Sequence, residues 1–218
     1  MSNAVSVITR SGIRRAVAGC LVVIAALAVT AGSSSATTVG FTLAPTLPGL
    51  NGVTLNGQTQ STSTTWTMTN NMKITSSGTN TGWHLNVGAN TTGGTHSAVF
   101  KQYCPNATCG SDTGPGYVSG GQTLAANSLT LTSTGASFSG QNGTTGTAPT
   151  LQCASACNVD SGSAVKIASA AAGTGMGTWA TTGWGGTSLA LSTPSTLKTL
   201  QSNEVYRVDL VWTINSGP

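Results

Sequence analysis

Charge is almost missing from this chain. Its 218 residues carry eight basic and four acidic side chains. That poverty excludes a charge-rich disordered segment. It also excludes a coiled coil or helical bundle, which draws on Glu, Lys and Arg. Histidine is equally scarce, with only His84 and His96. No G-x-S-x-G elbow, no H-x3-H pair and no Asp-rich calcium loop occurs, so neither a hydrolase triad nor a metal site is expected. No C-x-x-C lies near a βαβ pattern, which removes a redox role. No cofactor is implied.

The abundant residues are small and polar. Thr (38), Ser (26) and Gly (29) make up about two fifths of the chain. Such a composition favours strands joined by glycine turns, in an all-β extracellular domain. The formal charge of +4 is concentrated at the start, where Arg10, Arg14 and Arg15 precede the uncharged run Ala16 to Ala31. A basic stretch, a short apolar run and small residues make an export signal. The run is shorter than the ~20 residues that span a bilayer. Residues 1–36 are therefore expected to leave as a signal peptide, with cleavage after Ala31 or, favoured, after Ala36, and residues 37–218 to form one mature domain.

The mature chain retains Lys73, Lys101, Lys166, Lys198 and Arg207 against Asp112, Asp160, Glu204 and Asp209. A balance of +1 offers no basic surface for nucleic acid and no polybasic membrane patch. No second apolar span follows, so the protein is expected to be soluble or held non-covalently.

Four cysteines remain after export: Cys104, Cys109, Cys153 and Cys157. An oxidising compartment makes disulfides the default. Three pairings are possible, and the close spacings favour two local staples, 104–109 and 153–157. The alternative is a four-cysteine zinc site, disfavoured by the lack of paired C-x2-C spacing.

Alternation with period two recurs along the chain. Val39, Phe41 and Leu43 alternate with small residues, as do Trp66 and Met68. The same holds for Trp83, Leu85 and Val87, for Leu129 and Leu131, for Val165 and Ile167, and for Leu189 and Leu191. Asn51-Gly52, Asn56-Gly57 and Asn142-Gly143 read as turns. The pattern predicts an antiparallel β-sandwich, Greek-key-like, with disulfide-stapled loops. The last strand is expected to run unbroken from Tyr206 to Asn215 with Trp212 on its apolar face, central to the core. The region of about 100–160, with its cysteines and Gly/Ser-rich stretches, is expected to decorate the sandwich. Ala168 to Ala172 is read as a possible single helical turn.

Candidate site residues follow from the five tryptophans. Trp83 and Trp212 lie on apolar strand faces and favour core packing. Trp179 and Trp184 lie in the Gly/Thr-rich stretch TGMGTWATTGWGGT, which suits a loop. There an indole serves either the core or a sugar-stacking platform. The acids form no evident catalytic pair. Asp112, Asp160 and Glu204 are the first to test if the chain proves to be a polysaccharide-active enzyme.

Trp83-His84-Leu85 is a W-x-L tripeptide, and the chain ends in Tyr206-Arg-Val-Asp-Leu210-Val-Trp212-Thr-Ile214-Asn-Ser-Gly-Pro218. Over about residues 39–218 this resembles the WxL-domain surface proteins. Tyr206, Leu210, Trp212 and Pro218 fit the terminal motif. Val211 replaces the usual Thr and Ile214 the usual Leu. The resemblance implies a non-enzymatic, exported Gram-positive surface protein, attached non-covalently to the cell wall through peptidoglycan or another wall glycan. It also implies companion surface proteins. Trp83, Leu85, Trp179, Trp184, Tyr206 and Trp212 become the candidate binding residues, with no metal site. The rival readings are a structural or adhesive subunit of a partner-dependent surface assembly and, less favoured, a secreted polysaccharide-active enzyme.

Overall fold

A computed structural model of the chain describes residues 38–43, 45, 49–66, 72–77, 81–92 and 94–217. The expected signal peptide, Met68 and Pro218 lie outside the described residues. Every regular element among the described residues is a strand, and no helix there is long and apolar enough to cross a membrane. In chain order the strands are β1 (Thr38–Leu43), β2 (Gln60–Thr64), β3 (Lys73–Ser77), β4 (Trp83–Ala89), β5 (Lys101–Cys104) and β6 (Thr108–Cys109). There follow β7 (Asp112–Thr113), β8 (Gly116–Tyr117), β9 (Leu129–Leu131), β10 (Ser137–Gln141), β11 (Thr150–Leu151) and β12 (Cys157–Asn158). The chain ends with β13 (Val165–Ala170), β14 (Gly177–Thr182), β15 (Leu189–Thr193), β16 (Val205–Arg207) and β17 (Leu210–Ser216).

These strands pair antiparallel into three four-stranded sheets, ordered β1-β3-β14-β10, β11-β13-β4-β17 and β12-β9-β15-β2. A three-stranded sheet, β16-β5-β8, and the ribbon β6-β7 complete the fold. The first two sheets approach each other at both edges, β1 near β17 and β10 near β11. Ile74 of β3, the β4 residues Trp83, Leu85 and Val87, and Ile167 of β13 share one core. The third sheet adds Leu129, Leu131, Leu189 and Leu191 to it. Most neighbours in the three four-stranded sheets are distant in sequence, as Greek-key-like crossovers require, whereas β6 and β7 are consecutive.

Period two explains the burial. Along β4, Trp83, Leu85 and Val87 are buried while His84 and Asn86 are half-buried, because successive side chains point to opposite faces. Asn142 and Gly143, with φ of 52° and 74°, turn tightly after β10, as the Asn-Gly signal predicts. Asn56-Gly57 also turns, with the Asn56 side chain accepting from the Gln58 N–H. Asn51-Gly52 does not; that segment runs beside β2, its Asn51 carbonyl accepting from the Thr62 hydroxyl.

Three expectations change. The final strand is broken: β16 pairs with β5, while β17 pairs with β4. Asp209, at the break, accepts the Asn90 N–H through its carbonyl and donates its N–H to the Ser97 carbonyl. Those bonds carry the chain from one sheet to another. The resulting β17 is an edge strand whose apolar face is only half-buried, whereas β4 occupies an interior position. The middle region is no decoration. Its Phe100, Leu124, Leu129, Leu131 and Val159 are buried core residues. The alanine run continues β13 to Ala170 instead of forming a helical turn.

The cysteines pair as 104–109 and 153–157, with Cα atoms 5.6 and 5.3 Å apart. All four sulfurs are used in these bonds, so no thiolate remains for zinc.

Gly82, directly before Trp83, has φ +83°, and a Cβ there would sit 2.5 Å from the Ala170 carbonyl oxygen. Its own carbonyl accepts the Gly217 N–H. Gly82→Ala is therefore expected to lower unfolding free energy by at least about 1–3 kcal/mol, measured by urea denaturation. A stability unchanged within error would show that the Ala170 backbone yields freely.

Candidate functional site

Three of the five tryptophans converge from distant segments. Trp66 follows β2, Trp184 lies in the loop after β14, and Trp212 lies on β17. The Trp66 and Trp184 rings stack with centroids 5.2 Å apart and planes 28° from parallel. Trp212 tilts against Trp66 at the same distance, with an angle of 59°. Such offset and tilted pairs each add about 0.5–1.5 kcal/mol beyond area burial. Trp66 is 1% exposed and anchors the group, its backbone N–H donating to the Ser188 hydroxyl at 2.7 Å. Trp184 and Trp212 are half-buried and reach the surface. The indole N–H groups of Trp66 and Trp184 are buried and have no hydrogen-bond partner among the described residues.

The other candidates fall elsewhere. Trp83 and Leu85 are fully buried on β4. Trp179 is on β14, not in a loop. It is 4% exposed, and its N–H donates to the Met176 carbonyl at 2.9 Å. It stands opposite Ile74, a core residue, and side chains opposite one another share a face. Trp83, Leu85 and Trp179 thus present no free face to a ligand. Tyr206 packs against the core, with its hydroxyl donating to the Lys198 carbonyl at 3.0 Å. Trp66 is the member of the cluster that the sequence reading left as an ordinary strand residue. No local signal marks it, because its partners are 118 and 146 positions away.

The acids are tied into the structure. Asp160 is wholly buried, its two oxygens accepting the N–H groups of Ser128 and Leu129 at 2.9 and 3.1 Å. Burial raises its pKa above the ordinary carboxyl value, against the pull of those N–H groups. Asp112 accepts from the Gln201 side-chain amide at 3.0 Å, and Glu204 from the Gln102 amide and the Gln201 N–H at 2.7 Å each. The neighbouring Glu204 raises the pKa of Asp112. Asp209 accepts from the Tyr117 hydroxyl at 2.7 Å, from the Arg207 guanidinium at 2.9 and 3.1 Å, and from the Ser97 N–H at 3.2 Å. Burial alone would raise its pKa, but these donors more than offset burial and lower it. His96 lies 3.5 Å away from the same carboxylate. His84 contacts the Gly217 carbonyl through Nδ1 at 2.8 Å. Among the described residues, no three His, Cys, Asp or Glu side chains group as metal ligands.

The arrangement is a surface-facing aromatic cluster with acids occupied by internal partners. It suits recognition by stacking and contact. No curated protein and no solved structure matches the chain. The profile of one protein family, described as WxL domain surface cell wall-binding, matches residues 51–218. That span contains all three stacked tryptophans, both disulfides and every strand but β1. The chain therefore belongs to the WxL domain family of cell-surface, cell wall-binding proteins.

Proposed function

We propose that residues 37–218 act as one non-enzymatic attachment module. It holds peptidoglycan, or another wall glycan, against the surface formed by Trp184 and Trp212. The observation that carries this reading is the stack itself. Trp66 backs both half-buried indoles and fixes their planes before a ligand arrives. A pre-ordered aromatic face loses little conformational entropy on binding. One threonine and two glycines adjoin its tryptophans in sequence, at Thr65, Gly185 and Gly186.

Several features argue against catalysis. A glycosidase needs two carboxyl groups about 5–9 Å apart around one bond. Asp112 and Glu204 are held by Gln201 and Gln102, Asp160 is enclosed, and Asp209 is surrounded by donors.

The test is sedimentation with insoluble peptidoglycan. The wild-type protein should pellet in a saturable manner and release no reducing sugars. Trp184→Ala and Trp212→Ala should each weaken pelleting by about tenfold, with circular dichroism unchanged. Absence of pelleting by well-folded wild-type protein would remove autonomous glycan binding. Undiminished pelleting by both folded variants would move the site away from this cluster.

A further inference from the structure

A cleft of about 910 Å³ is lined from both the β12-β9-β15-β2 sheet and the β16-β5-β8 sheet. Its size falls in the range of built binding sites. Its floor is apolar and buried: Phe100, Leu124, Leu129, Leu189 and Leu191. At its rim, Leu55 and Val205 remain 43% and 46% exposed. They are two of the few large apolar side chains exposed among the described residues.

The cleft also borders a free strand edge. Every residue from Glu204 through Val208 lines it. Successive strand residues point to opposite faces, so a cavity touching all five runs along the strand's edge. Among the described residues β16 has β5 as its only neighbour in the sheet. On β5, Gln102 donates its N–H to the Gln122 carbonyl and accepts the Val118 N–H, both on the side away from β16. Antiparallel bonding alternates. The hydrogen-bonded pairs are therefore Val205 with Tyr103 and Arg207 with Lys101. Tyr206, opposite Gln102, turns its backbone N–H and carbonyl to the free side, where no backbone partner among the described residues takes them.

We propose that this cleft receives an extended segment of a partner polypeptide, which pairs with β16 at Tyr206 and sets alternate apolar side chains on the leucine floor. Both halves of the site match that occupant. Main-chain bonds to an edge supply affinity, and a floor for alternate side chains supplies specificity. A glycan would press its hydroxyls onto leucines that offer no hydrogen bonds. An acyl chain would fill the floor but leave the Tyr206 backbone groups unmatched. This site is separate from the tryptophan cluster and does not depend on glycan binding there.

The test uses the purified protein and a panel of labelled peptides about seven residues long. Each alternates threonine with valine, leucine, isoleucine or phenylalanine. Fluorescence anisotropy should give saturable binding for at least one member, and the Tyr206 amide should gain hydrogen-exchange protection in the complex. N-methylation of the peptide backbone on the side facing β16 should weaken binding by about tenfold. Leu55→Glu and Val205→Glu, both at exposed positions, should each weaken it by about tenfold or more without lowering the melting temperature. Three outcomes overturn the proposal: no binding by any member of the panel, equal binding of the N-methylated peptide, or occupation of the cleft by dodecanoate or a muropeptide while the peptides fail.

Discussion

Trp83→Ala is expected to cost about 3–5 kcal/mol of unfolding free energy, the usual range for removing a buried tryptophan. Folded domains have only about 5–15 kcal/mol in total, so this variant should be marginal or fail to fold. The indole is completely buried on β4, between β13 and β17. It meets Phe138 edge-on with centroids 6.3 Å apart, which joins the two facing sheets. Its N–H donates to the Gly175 carbonyl at 3.3 Å. Gly175 has φ +66°, and a Cβ there would lie 3.0 Å from the indole nitrogen and 2.4 Å from the Ala170 Cβ. The surroundings are built around the ring and cannot collapse easily into the void. Urea denaturation of Trp83→Ala and Trp83→Phe checks this, with phenylalanine expected to recover part of the loss. A Trp83→Ala protein of full stability that no longer binds walls would instead make Trp83 a ligand contact.

Asp160→Ala should have the next largest effect, roughly 2–5 kcal/mol. The wild-type carboxylate satisfies two backbone N–H groups at the start of β9, and removing it leaves both buried without an acceptor. Asp160→Asn keeps the volume and one acceptor oxygen, so its cost should be smaller. The pH dependence has a definite sign. Burial raises the folded-state pKa above the ordinary value of 3.8. The folded protein then holds this proton more tightly than the unfolded chain does. Stability from this group is greatest at low pH, falls as pH rises from about 3.8 through the folded value, and is constant above it. The Asn variant lacks that fall, so the wild-type advantage over it should shrink as pH rises across this window. Urea midpoints measured from roughly pH 3 to pH 7 test it. A gap that widens with pH would mean that the two N–H groups outweigh burial.

Legibility in the sequence followed locality. Trp83, Leu85 and Val87 announced a buried face because period two is written in adjacent residues. The staples 104–109 and 153–157 were favoured by their short loops alone. The break at Asp209 was invisible. The apolar alternation from Tyr206 to Ile214 continues across it, and only bonds to Ser97 and Asn90 split the run. Trp179 misled because its glycine-rich neighbours resemble a loop, yet they flank a strand that pairs with β3 and β10. The adjacent carboxyls of Asp112 and Glu204 lie 92 positions apart, with no pattern to connect them.

The sequence by itself determined the all-β character, the inward face of most strands and membership of the wall-binding family, and favoured the local disulfide pairs that the structure shows. Those properties depend on residue type and on short spacings. Only the tertiary structure decided that Trp66, Trp184 and Trp212 meet, that β17 is an edge strand, and that β16 borders an apolar cleft. A strand's own residues fix which side chains share a face. The neighbour it pairs with and the depth to which it is buried depend on segments far away in the chain, through the packing and hydrogen bonding of the whole core.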